Sequence, residues 1–280
     1  MGLPRSIRPE EGCIVAGMLL LDGPIGTQLV AQGVPAPAPL WSAWALKNQP
    51  QAVGDLHRAY GAAGAQIHTA NTFRCHERNA GSSWRELVAV AVRLARLGGG
   101  RVAGSIAPLR DCYRPDLSPP NPGPEHLQLA QALVAEGVDL LLVETHPELR
   151  EALAATTAAR SCASHVWSAL TPGYDNSLMS PDQVADGARA LADAGAKVVL
   201  VNCLPAAHSL PYAAALAQTG LPWGIYANAG KPEEGLGWGE PGGPERYAGL
   251  AQAWLELGAQ VIGGCCGTGP AHIAALNKLL

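Results

Sequence analysis

Near its C-terminal end the chain reads Val261-Ile262-Gly263-Gly264-Cys265-Cys266-Gly267-Thr268-Gly269-Pro270, and this stretch sets the pattern of the whole fold. An apolar, strand-like run leads into two adjacent cysteines, and the Gly-Pro after them is typical of a helix start. A cysteine pair in this setting is inert core, a strained vicinal disulfide, or part of a soft-metal site with a third ligand from elsewhere. A third ligand would have to come from another strand that ends beside this one.

Eight apolar runs of strand type alternate with Ala/Leu-rich segments of helical period along the chain. The predicted strands are Gly17–Leu21, Gln66–Thr72, Val102–Pro108, Val138–Thr145, His165–Thr171, Lys197–Cys203, Trp223–Asn228 and Gln260–Gly264. Helices are predicted near 51–63, 83–97, 124–136, 147–160, 181–194, 206–218, 244–257 and 270–279. Eight strands that are each followed by a helix predict a (β/α)8 barrel of the TIM type. A doubly wound open sheet is the competing architecture, but no Gly-x-Gly-x-x-Gly turn supports it.

The connections between these elements favour one barrel domain. A Gly-Ala or Gly-Val pair precedes four of the strands, where glycine can take the left-handed conformation that ends a helix. Long Gly/Pro-rich loops at 23–50, 109–123 and 229–243 follow strands, so they belong to the C-terminal face, where barrel enzymes keep their chemistry. We therefore predict a short, poorly ordered leader over 1–16 and a single catalytic domain over 17–280.

Composition excludes several classes of function. The 280 residues are 48% hydrophobic and 15% charged, which is typical of a globular chain. A net charge of −4 without a basic block argues against nucleic acid as the main partner. No apolar run approaches the roughly 20 residues that span a bilayer. Seven cysteines without a secretory signal indicate reduced thiols in the cytoplasm, and the helical pattern leaves a homo-oligomer open.

Polar or sulfur-bearing residues stand at the ends of most predicted strands. They are Asp22, Asn71, Thr72, Glu144, Thr145, Asn202, Cys203, Asn228, Cys265 and Cys266. In a closed barrel these ends converge on one mouth, so residues that are far apart in sequence become neighbours. Cys203 can therefore be the third thiol beside the cysteine pair. Cys13, Cys75, Cys112 and Cys162 have no comparable context and are interpreted as packing or surface residues.

Three thiolates without a fourth protein ligand describe a catalytic zinc site better than a structural one, because structural zinc is normally closed by four ligands. The open position is then available to a substrate, and a thiol there would be deprotonated at neutral pH. This chemistry favours alkyl transfer to sulfur. Adjacent strand residues point to opposite faces, so Cys265 and Cys266 can share a metal only if the backbone leaves strand geometry, which the flanking glycines permit.

Several short motifs extend through most of the chain and together are highly specific. They are Leu21-Asp22-Gly23, Gly26-Thr27, Leu40-Trp41-Ser42-Ala43, Thr69-Ala70-Asn71-Thr72-Phe73, Glu144-Thr145, Val201-Asn202-Cys203, Asn228-Ala229-Gly230 and Gly263-Gly264-Cys265-Cys266-Gly267-Thr268. In these residues the chain resembles the homocysteine S-methyltransferase family. That family includes betaine- and S-methylmethionine-homocysteine methyltransferases and the homocysteine-binding module of cobalamin-dependent methionine synthase.

The resemblance implies a zinc-dependent (β/α)8 barrel that activates homocysteine as a zinc-bound thiolate and methylates it to methionine. Cys203, Cys265 and Cys266 would hold the metal, while Asp22 and Glu144 would lie near the substrate ammonium. The implied substrate-binding set is Asp22, Gly23, Gly26, Thr27, Trp41, Asn71, Glu144, Asn202 and Asn228. Backbone amides after the aspartate would hold the substrate carboxylate.

One position departs from that pattern. Pro24 replaces the usual small residue and has no N–H to donate. The amides of Gly23, Ile25 and Gly26, or the Thr27 hydroxyl, would have to compensate. The acceptor is therefore homocysteine or a close thiol or selenol analogue.

The methyl donor stays open between S-methylmethionine, S-adenosylmethionine, betaine and a methylcorrinoid carried by a partner protein. Sulfonium and quaternary ammonium groups are attracted to aromatic faces. Aromatic residues in or near the predicted mouth are Trp41, Trp44, Tyr113, Tyr174 and Trp238. The stretch Gly104–Leu109 departs from the Gly-Pro-Tyr-Gly phrase of the branch that uses S-methylmethionine, which weakens that assignment.

Two other interpretations remain open from the sequence. The same thiols could bind zinc or respond to oxidation in a protein without catalytic activity, or the chain could be a barrel enzyme of different chemistry with inert cysteines. His68, His146, His208 and His272 are interpreted as hydrogen-bonded scaffold, because three thiolates already suffice for the metal. Among them His146 is the one to test as an acid-base or donor-site residue.

Overall fold

Eight parallel strands form the centre of the protein in the computed structural model, which describes residues 17–237 and 239–280. The strands are β1 (Leu19–Leu20), β2 (Ile67–Thr69), β3 (Arg101–Ile106), β4 (Leu140–His146), β5 (Val166–Leu170), β6 (Val198–Pro205), β7 (Trp223–Asn228) and β8 (Val261–Gly264). Their order is β1-β8-β7-β6-β5-β4-β3-β2. A bridge between Leu21 and Ile67 joins the two ends of this sheet, so the strands close into a barrel. The predicted fold class is confirmed.

Helices surround the barrel and also enter its loops. They are α1 (Gly26–Ala31), α2 (Trp44–Asn48), α3 (Pro50–Ala62), α4 (Glu77–Ala80), α5 (Trp84–Ala95), α6 (Gly123–Ala135), α7 (Leu149–Cys162), α8 (Pro181–Asp193), α9 (Leu210–Ala217), α10 (Gly243–Glu256) and α11 (Pro270–Asn277). No helix in the described parts of the chain is long and apolar enough to cross a membrane. The predicted leader over 1–16 and the ring of Trp238 lie outside the described residues.

Every predicted strand and helix has a counterpart, and the main difference lies in the first long loop. The connection 23–50 contains α1, α2 and a 3-10 turn over Trp41–Ala43 instead of irregular chain. Leu29, Ala43 and Leu46 from these turns are buried in the core, so tertiary packing stabilises helices too short to form alone. The glycines before strands behave as predicted, since Gly64 and Gly195 both have φ of 103°.

Two hydrophobic layers hold the barrel together. The larger packs the helices onto the outside of the strands, and the smaller fills the interior with side chains such as Leu21, Leu142, Trp167 and Leu200. Tyr226 and Cys265 mark the top of this inner layer. The interior is therefore solid below the mouth, and the space for a ligand lies at the C-terminal ends of the strands.

Candidate active site

A cavity of about 550 Å³ opens at the C-terminal ends of the strands. The loop after β1 and the loop after β3 form its walls, and strand ends form its floor. Nine of the twelve residues that were predicted to bind the metal or the substrate line it: Asp22, Gly23, Gly26, Trp41, Asn71, Glu144, Cys203, Cys265 and Cys266. Thr27, Asn202 and Asn228 are absent from the lining. Their side chains bond to the backbone or to neighbouring side chains around the mouth.

Cys203, Cys265 and Cys266 converge on this cavity and are called the thiol cluster below. The Cys203 Sγ lies 2.6 Å from the Cys265 Sγ and 3.8 Å from the Cys266 Sγ, and all three sulfurs are within 4.8 Å of one another. Strand β8 ends at Gly264, so both paired cysteines stand beyond regular strand geometry, as predicted. The turn after them closes at Gly267, whose φ of 83° favours glycine.

Backbone strain is concentrated around this cavity. Trp41, Thr145 and Cys203 line the cavity and have positive φ, at 49°, 60° and 55°. Bulges in β4 and β6 accompany the last two, and bulges re-aim side chains next to active sites. The buried Asn202 joins the two bulges, because its amide donates to the Thr145 Oγ1 at 2.7 Å and accepts the Thr145 N–H at 3.1 Å. Asn202 thus fixes the backbone beside Cys203.

The thiols of the cluster are electrostatically unequal. Hydrogen bonds between Cys203 and its neighbours Cys265 and Cys266, with a further one donated by the Tyr113 hydroxyl at 3.5 Å, lower the pKa of Cys203 well below its usual value. The thiol of Cys265 is held protonated by its hydrogen bond to Cys203, so its pKa is raised. The first thiolate of the cluster is therefore that of Cys203.

Two carboxylates share the mouth with the thiols and are almost completely buried. Glu144 accepts hydrogen bonds from the hydroxyls of Ser105 and, at 3.1 Å, Tyr226. These hydrogen bonds stabilise the charged carboxylate, but burial is the larger effect and raises the pKa of Glu144 to about 7. Asp22 is 2% exposed, and burial raises its pKa well above the usual value although the Thr69 N–H donates to it at 3.0 Å. Both carboxylates therefore lack a positive partner.

This geometry agrees with the match to a known protein family. The family model described as homocysteine S-methyltransferase matches residues 19–280. The chain belongs to the homocysteine S-methyltransferase family. It is a methyltransferase of the TIM-barrel type.

Relatives in that family cover nearly the whole chain. The homocysteine S-methyltransferase of Escherichia coli K12 is 31% identical over an alignment of 298 positions that covers 93% of this chain and 94% of the relative. A crystal structure of homocysteine methyltransferase MmuM from E. coli in metallated form has a TM-score of 0.79, at 26% identity and 94% and 96% coverage. Methionine synthase of Mycobacterium tuberculosis is 27% identical, and the match covers 81% of this chain but 21% of that protein.

Two glycines of the family motif are fixed by aromatic neighbours. A Cβ on Gly26 would lie 2.3 Å from the Trp41 ring, and one on Gly23 would lie 2.6 Å from the Tyr60 hydroxyl. Tyr60 is fully buried and Trp41 forms part of the cavity lining, so a side chain at either glycine would displace a ring from the wall of the cavity or from the core behind it. Tyr60 also donates its hydroxyl to the Pro24 carbonyl at 2.9 Å, which holds the turn that carries the predicted substrate amides.

The three predicted polar residues outside the cavity have structural partners. Thr27 accepts the Gly267 N–H at 3.4 Å and so connects α1 to the cysteine turn. Asn228 donates to the Cys203 carbonyl at 2.9 Å and accepts the Gly230 N–H at 2.8 Å. With Asn202, they support the thiol cluster from behind.

The predicted aromatic residues divide into two groups. Trp41 and Tyr113 line the cavity, where Trp41 meets Phe73 edge to face at 5.8 Å between ring centroids. Tyr174 is 59% exposed and packs against Tyr113 at 5.3 Å. Trp44, on α2, is absent from the lining. Trp41, Phe73, Tyr113 and Tyr226 are therefore the aromatic rings that line the cavity, and Tyr226 is also bound to Glu144.

Sequence reasoning missed several residues of the site. Ser105 and Tyr226 bind Glu144 from inside β3 and β7, where strand alternation gives only the signal that they face the interior. Cys112, interpreted as packing or surface, lines the cavity. His272 is scaffold as predicted, since its Nδ1 accepts the Gly269 N–H at 3.1 Å. His68 differs, because neither of its ring nitrogens makes a hydrogen bond of ordinary geometry.

Proposed function

We propose that this methyltransferase binds zinc through the thiol cluster and transfers a methyl group from a small sulfonium or quaternary ammonium donor to homocysteine, giving methionine. One observation carries the proposal: three thiols and two buried carboxylates with raised pKa line the same cavity. The thiols suit a soft metal and a substrate sulfur, and the carboxylates suit the ammonium group of an amino acid.

The donor set fits zinc. Three sulfur ligands within 4.8 Å of one another leave a tetrahedral ion one open position, which is the arrangement of catalytic and not of structural zinc sites. When bound there, zinc supplies a Lewis acid that keeps a substrate thiol deprotonated at neutral pH. The low pKa of Cys203 provides the first anionic ligand before the metal arrives.

Asp22 and Glu144 give the cavity its selectivity for a cationic amino group. Burial without a counter-ion disfavours their charged forms, and a substrate ammonium between them would restore the charge balance. Ser105 and Tyr226 hold the Glu144 carboxylate in place through its two oxygens. The same groups would orient the acceptor so that its sulfur lies over the thiol cluster.

The aromatic rings of the cavity suit the donor. A sulfonium or quaternary ammonium is attracted to ring faces, and Trp41, Phe73 and Tyr113 supply such faces at the outer part of the mouth. In the transfer, the acceptor thiolate forms a bond to the methyl carbon while the donor bond to that carbon breaks. The electron pair of the broken bond stays on the donor, which leaves as a neutral sulfide or amine.

A donor screen tests this proposal. Reduced, zinc-loaded protein is incubated with homocysteine and, separately, S-methylmethionine, S-adenosylmethionine, betaine or methylcobalamin, and methionine is measured by mass spectrometry. We expect about one zinc per chain by elemental analysis and turnover with a sulfonium or quaternary ammonium donor. Cys265→Ser should lose both zinc and turnover, while Cys162→Ser, at the end of α7, should keep both. Full zinc and full turnover in Cys265→Ser would refute the mechanism, and zinc binding without methionine from any donor would favour a non-catalytic protein.

A further inference from the structure

Asp22 faces two environments. Asp22 lines the cavity, and its Oδ2 accepts the Thr69 N–H at 3.0 Å. The same Oδ2 lies 3.8 Å from the Nδ1 of His57 and 3.9 Å from the Nδ1 of His68, two buried residues that are absent from the cavity lining. The proposed transfer uses neither histidine, so this arrangement has no explanation yet.

His57, on α3, and His68, in β2, form a sealed pair. Both side chains are 0% exposed, and the rings meet at 76° with 5.9 Å between their centroids. None of the four ring nitrogens makes a hydrogen bond of ordinary geometry. A buried polar atom without a partner is costly, so such atoms normally have one in some functional state. The Asp22 carboxylate is the acidic group that lies within reach of both rings.

The charges around Asp22 make such a partner necessary. Glu144 faces it across the mouth and raises its pKa further, and the Tyr60 hydroxyl is neutral and donates to Pro24. Burial lowers the pKa of both histidines, that of His57 to about 3, so each ring is neutral and carries one N–H. In the described chain, no lysine or arginine forms an ion pair with Asp22. The Thr69 N–H donates to Oδ2, and the Thr69 side chain also favours the charged form, but neither of these groups is a cation.

We infer that His57 and His68 are positioning residues that hold Asp22 as an anion for the ammonium group of the acceptor. When the ammonium contacts Asp22 from the cavity, an Nδ1–H of the histidine pair donates to Oδ2 from behind. The distances of 3.8 and 3.9 Å need to shorten by less than about 1 Å to reach hydrogen-bond length. This inference rests on the proposed function and extends it, because it assigns the recognition of an amino-acid acceptor to residues outside the cavity.

A metal ion is the other occupant that these three residues could take, since their ligand atoms lie within 4.8 Å of one another. A divalent cation at Oδ2 would stand next to the ammonium site and repel it. The neutral histidine pair stabilises the carboxylate without that repulsion. For this reason the structure favours hydrogen bonding over a second metal site.

Comparison of two acceptors tests the inference. Homocysteine and 4-mercaptobutanoate share the thiol and the carboxylate, but only homocysteine has an amino group. In the double variant His57→Leu/His68→Leu, which roughly keeps the side-chain volume, we expect KM for homocysteine to rise about 10- to 100-fold with little change in kcat. The KM for 4-mercaptobutanoate should not change, whereas a merely structural defect would affect both acceptors equally and overturn the inference.

Two further variants control for the loss of buried histidine. His76 is also buried with both ring nitrogens unpartnered, but it lies outside the cavity and makes no ion pair with Asp22. His76→Leu should leave the ratio of the two acceptors unchanged. The conservative variant His57→Asn/His68→Asn keeps an N–H near each Nδ1 position and should restore most of the affinity for homocysteine. Failure of this rescue while 4-mercaptobutanoate is still methylated normally would contradict the assignment.

Wild-type protein provides a measurement that needs no stable variant. Long-range ¹H–¹⁵N NMR of ¹⁵N-histidine-labelled protein reports which ring nitrogen carries the proton. Homocysteine should give an Nδ1–H signal from one of the two histidines, and 4-mercaptobutanoate should not. The inference would be overturned if, in the homocysteine complex, the Nδ1 of neither histidine carried a proton. A metal ion that remains bound in a variant with all three cluster cysteines changed to serine would also overturn it. If wild-type protein methylates neither acceptor, the proposed function fails. That result is distinguishable from failure of the inference, in which wild-type protein methylates homocysteine but the histidine variants do not change its KM selectively.

Discussion

The thiol cluster and the Asp22–His57–His68 group are two places in the described chain where three metal-ligating atoms come within 4.8 Å. They differ in access and in charge. The thiols stand beyond the strand ends and line an open cavity, whereas the two histidines are sealed behind the barrel wall. Three thiolates carry three negative charges, which exceed the charge of a divalent metal ion. One carboxylate and two neutral imidazole rings carry a single negative charge.

That difference shows why proximity of ligand atoms does not by itself define a metal site. A metal needs an entry path, compensating charge and ligands that can lose their protons. The thiol cluster meets these conditions through its cavity and the low pKa of Cys203. The Asp22 group supplies at most one negative charge, and its two histidines are buried away from the cavity, so its unpartnered nitrogens are better explained by support of a substrate-binding carboxylate.

The largest expected effect separates the two groups by metal affinity. Cys203→Ser removes the thiol of lowest pKa, and we expect zinc affinity to fall by more than about 100-fold, since even outer-shell partners contribute 10- to 100-fold. His68→Asn should bind zinc as tightly as wild type. Competition with a chromophoric chelator measures both affinities. Equal zinc affinity in wild type and Cys203→Ser, or a comparable loss in His68→Asn, would remove the distinction between the two groups.

The charge of the mouth gives the second effect, through the pH dependence of stability. Burial raises the pKa of Glu144 from 4.5 to about 7 in the folded protein, so the folded state binds the proton more tightly than the unfolded state. The free energy of unfolding should therefore fall as pH rises from about 4.5 to about 7, by up to about 3 kcal/mol. Glu144→Gln has no proton to lose and should make this part of the profile less steep, and the slope that remains is due to Asp22, whose pKa is also raised by burial.

Urea unfolding of reduced, metal-free protein at pH 5 and pH 8 measures the difference. The matched control is Glu125→Gln, because Glu125 is a half-buried carboxylate whose pKa is lowered by its hydrogen bond to Arg78. That variant should not flatten the profile in this range. A loss of stability between these pH values that is as steep in Glu144→Gln as in wild type would show that Glu144 is not responsible.

The thiol cluster and the two carboxylates of the cavity could be predicted from the sequence, because each of these residues stands at or directly after the end of a recognisable strand. The cysteine pair stands between glycines at the end of an apolar run, and strand counting places Cys203 at the same mouth. Asp22 and Glu144 follow strands in the same way. Each of these residues lies at a strand end, and parallel strands of one barrel all end at the same face.

The bulges beside the cavity and the pairing of His57 with His68 could not be predicted, because they depend on contacts between elements that sequence spacing does not encode. The positive φ of Thr145 and Cys203 follows from bulges, and bulges are set by the register between neighbouring strands. His57 lies on the buried stripe of α3 beside Leu56 and Tyr60, so its only signal was a polar residue within an apolar pattern. Its partner His68 was interpreted as hydrogen-bonded scaffold, because three thiolates already suffice for the metal.

A third effect tests the bulge that presents Cys203. Asn202→Ala leaves the Thr145 N–H and hydroxyl without their buried partner, so we expect the free energy of unfolding to drop by about 2 kcal/mol. Zinc affinity should weaken in parallel, because the backbone of Cys203 loses its support. Thr156→Val, which removes a buried hydroxyl far from the mouth, is the control and should leave zinc affinity intact. Loss of stability without any change in zinc binding would show that the bulge does not hold the thiol.

The smallest effect concerns the hydroxyl that faces the thiol cluster. Tyr113 donates to the Cys203 Sγ at 3.5 Å, and this bond stabilises the thiolate more than the thiol. Tyr113→Phe should therefore raise the pKa of Cys203, because the thiolate loses one hydrogen bond. The pH dependence of iodoacetamide labelling at Cys203 in metal-free protein, followed by peptide mass spectrometry, measures it. Tyr174→Phe keeps the Tyr113 hydroxyl and is the control. An unchanged or lowered pKa in Tyr113→Phe would mean that the two neighbouring thiols alone set the low pKa of Cys203.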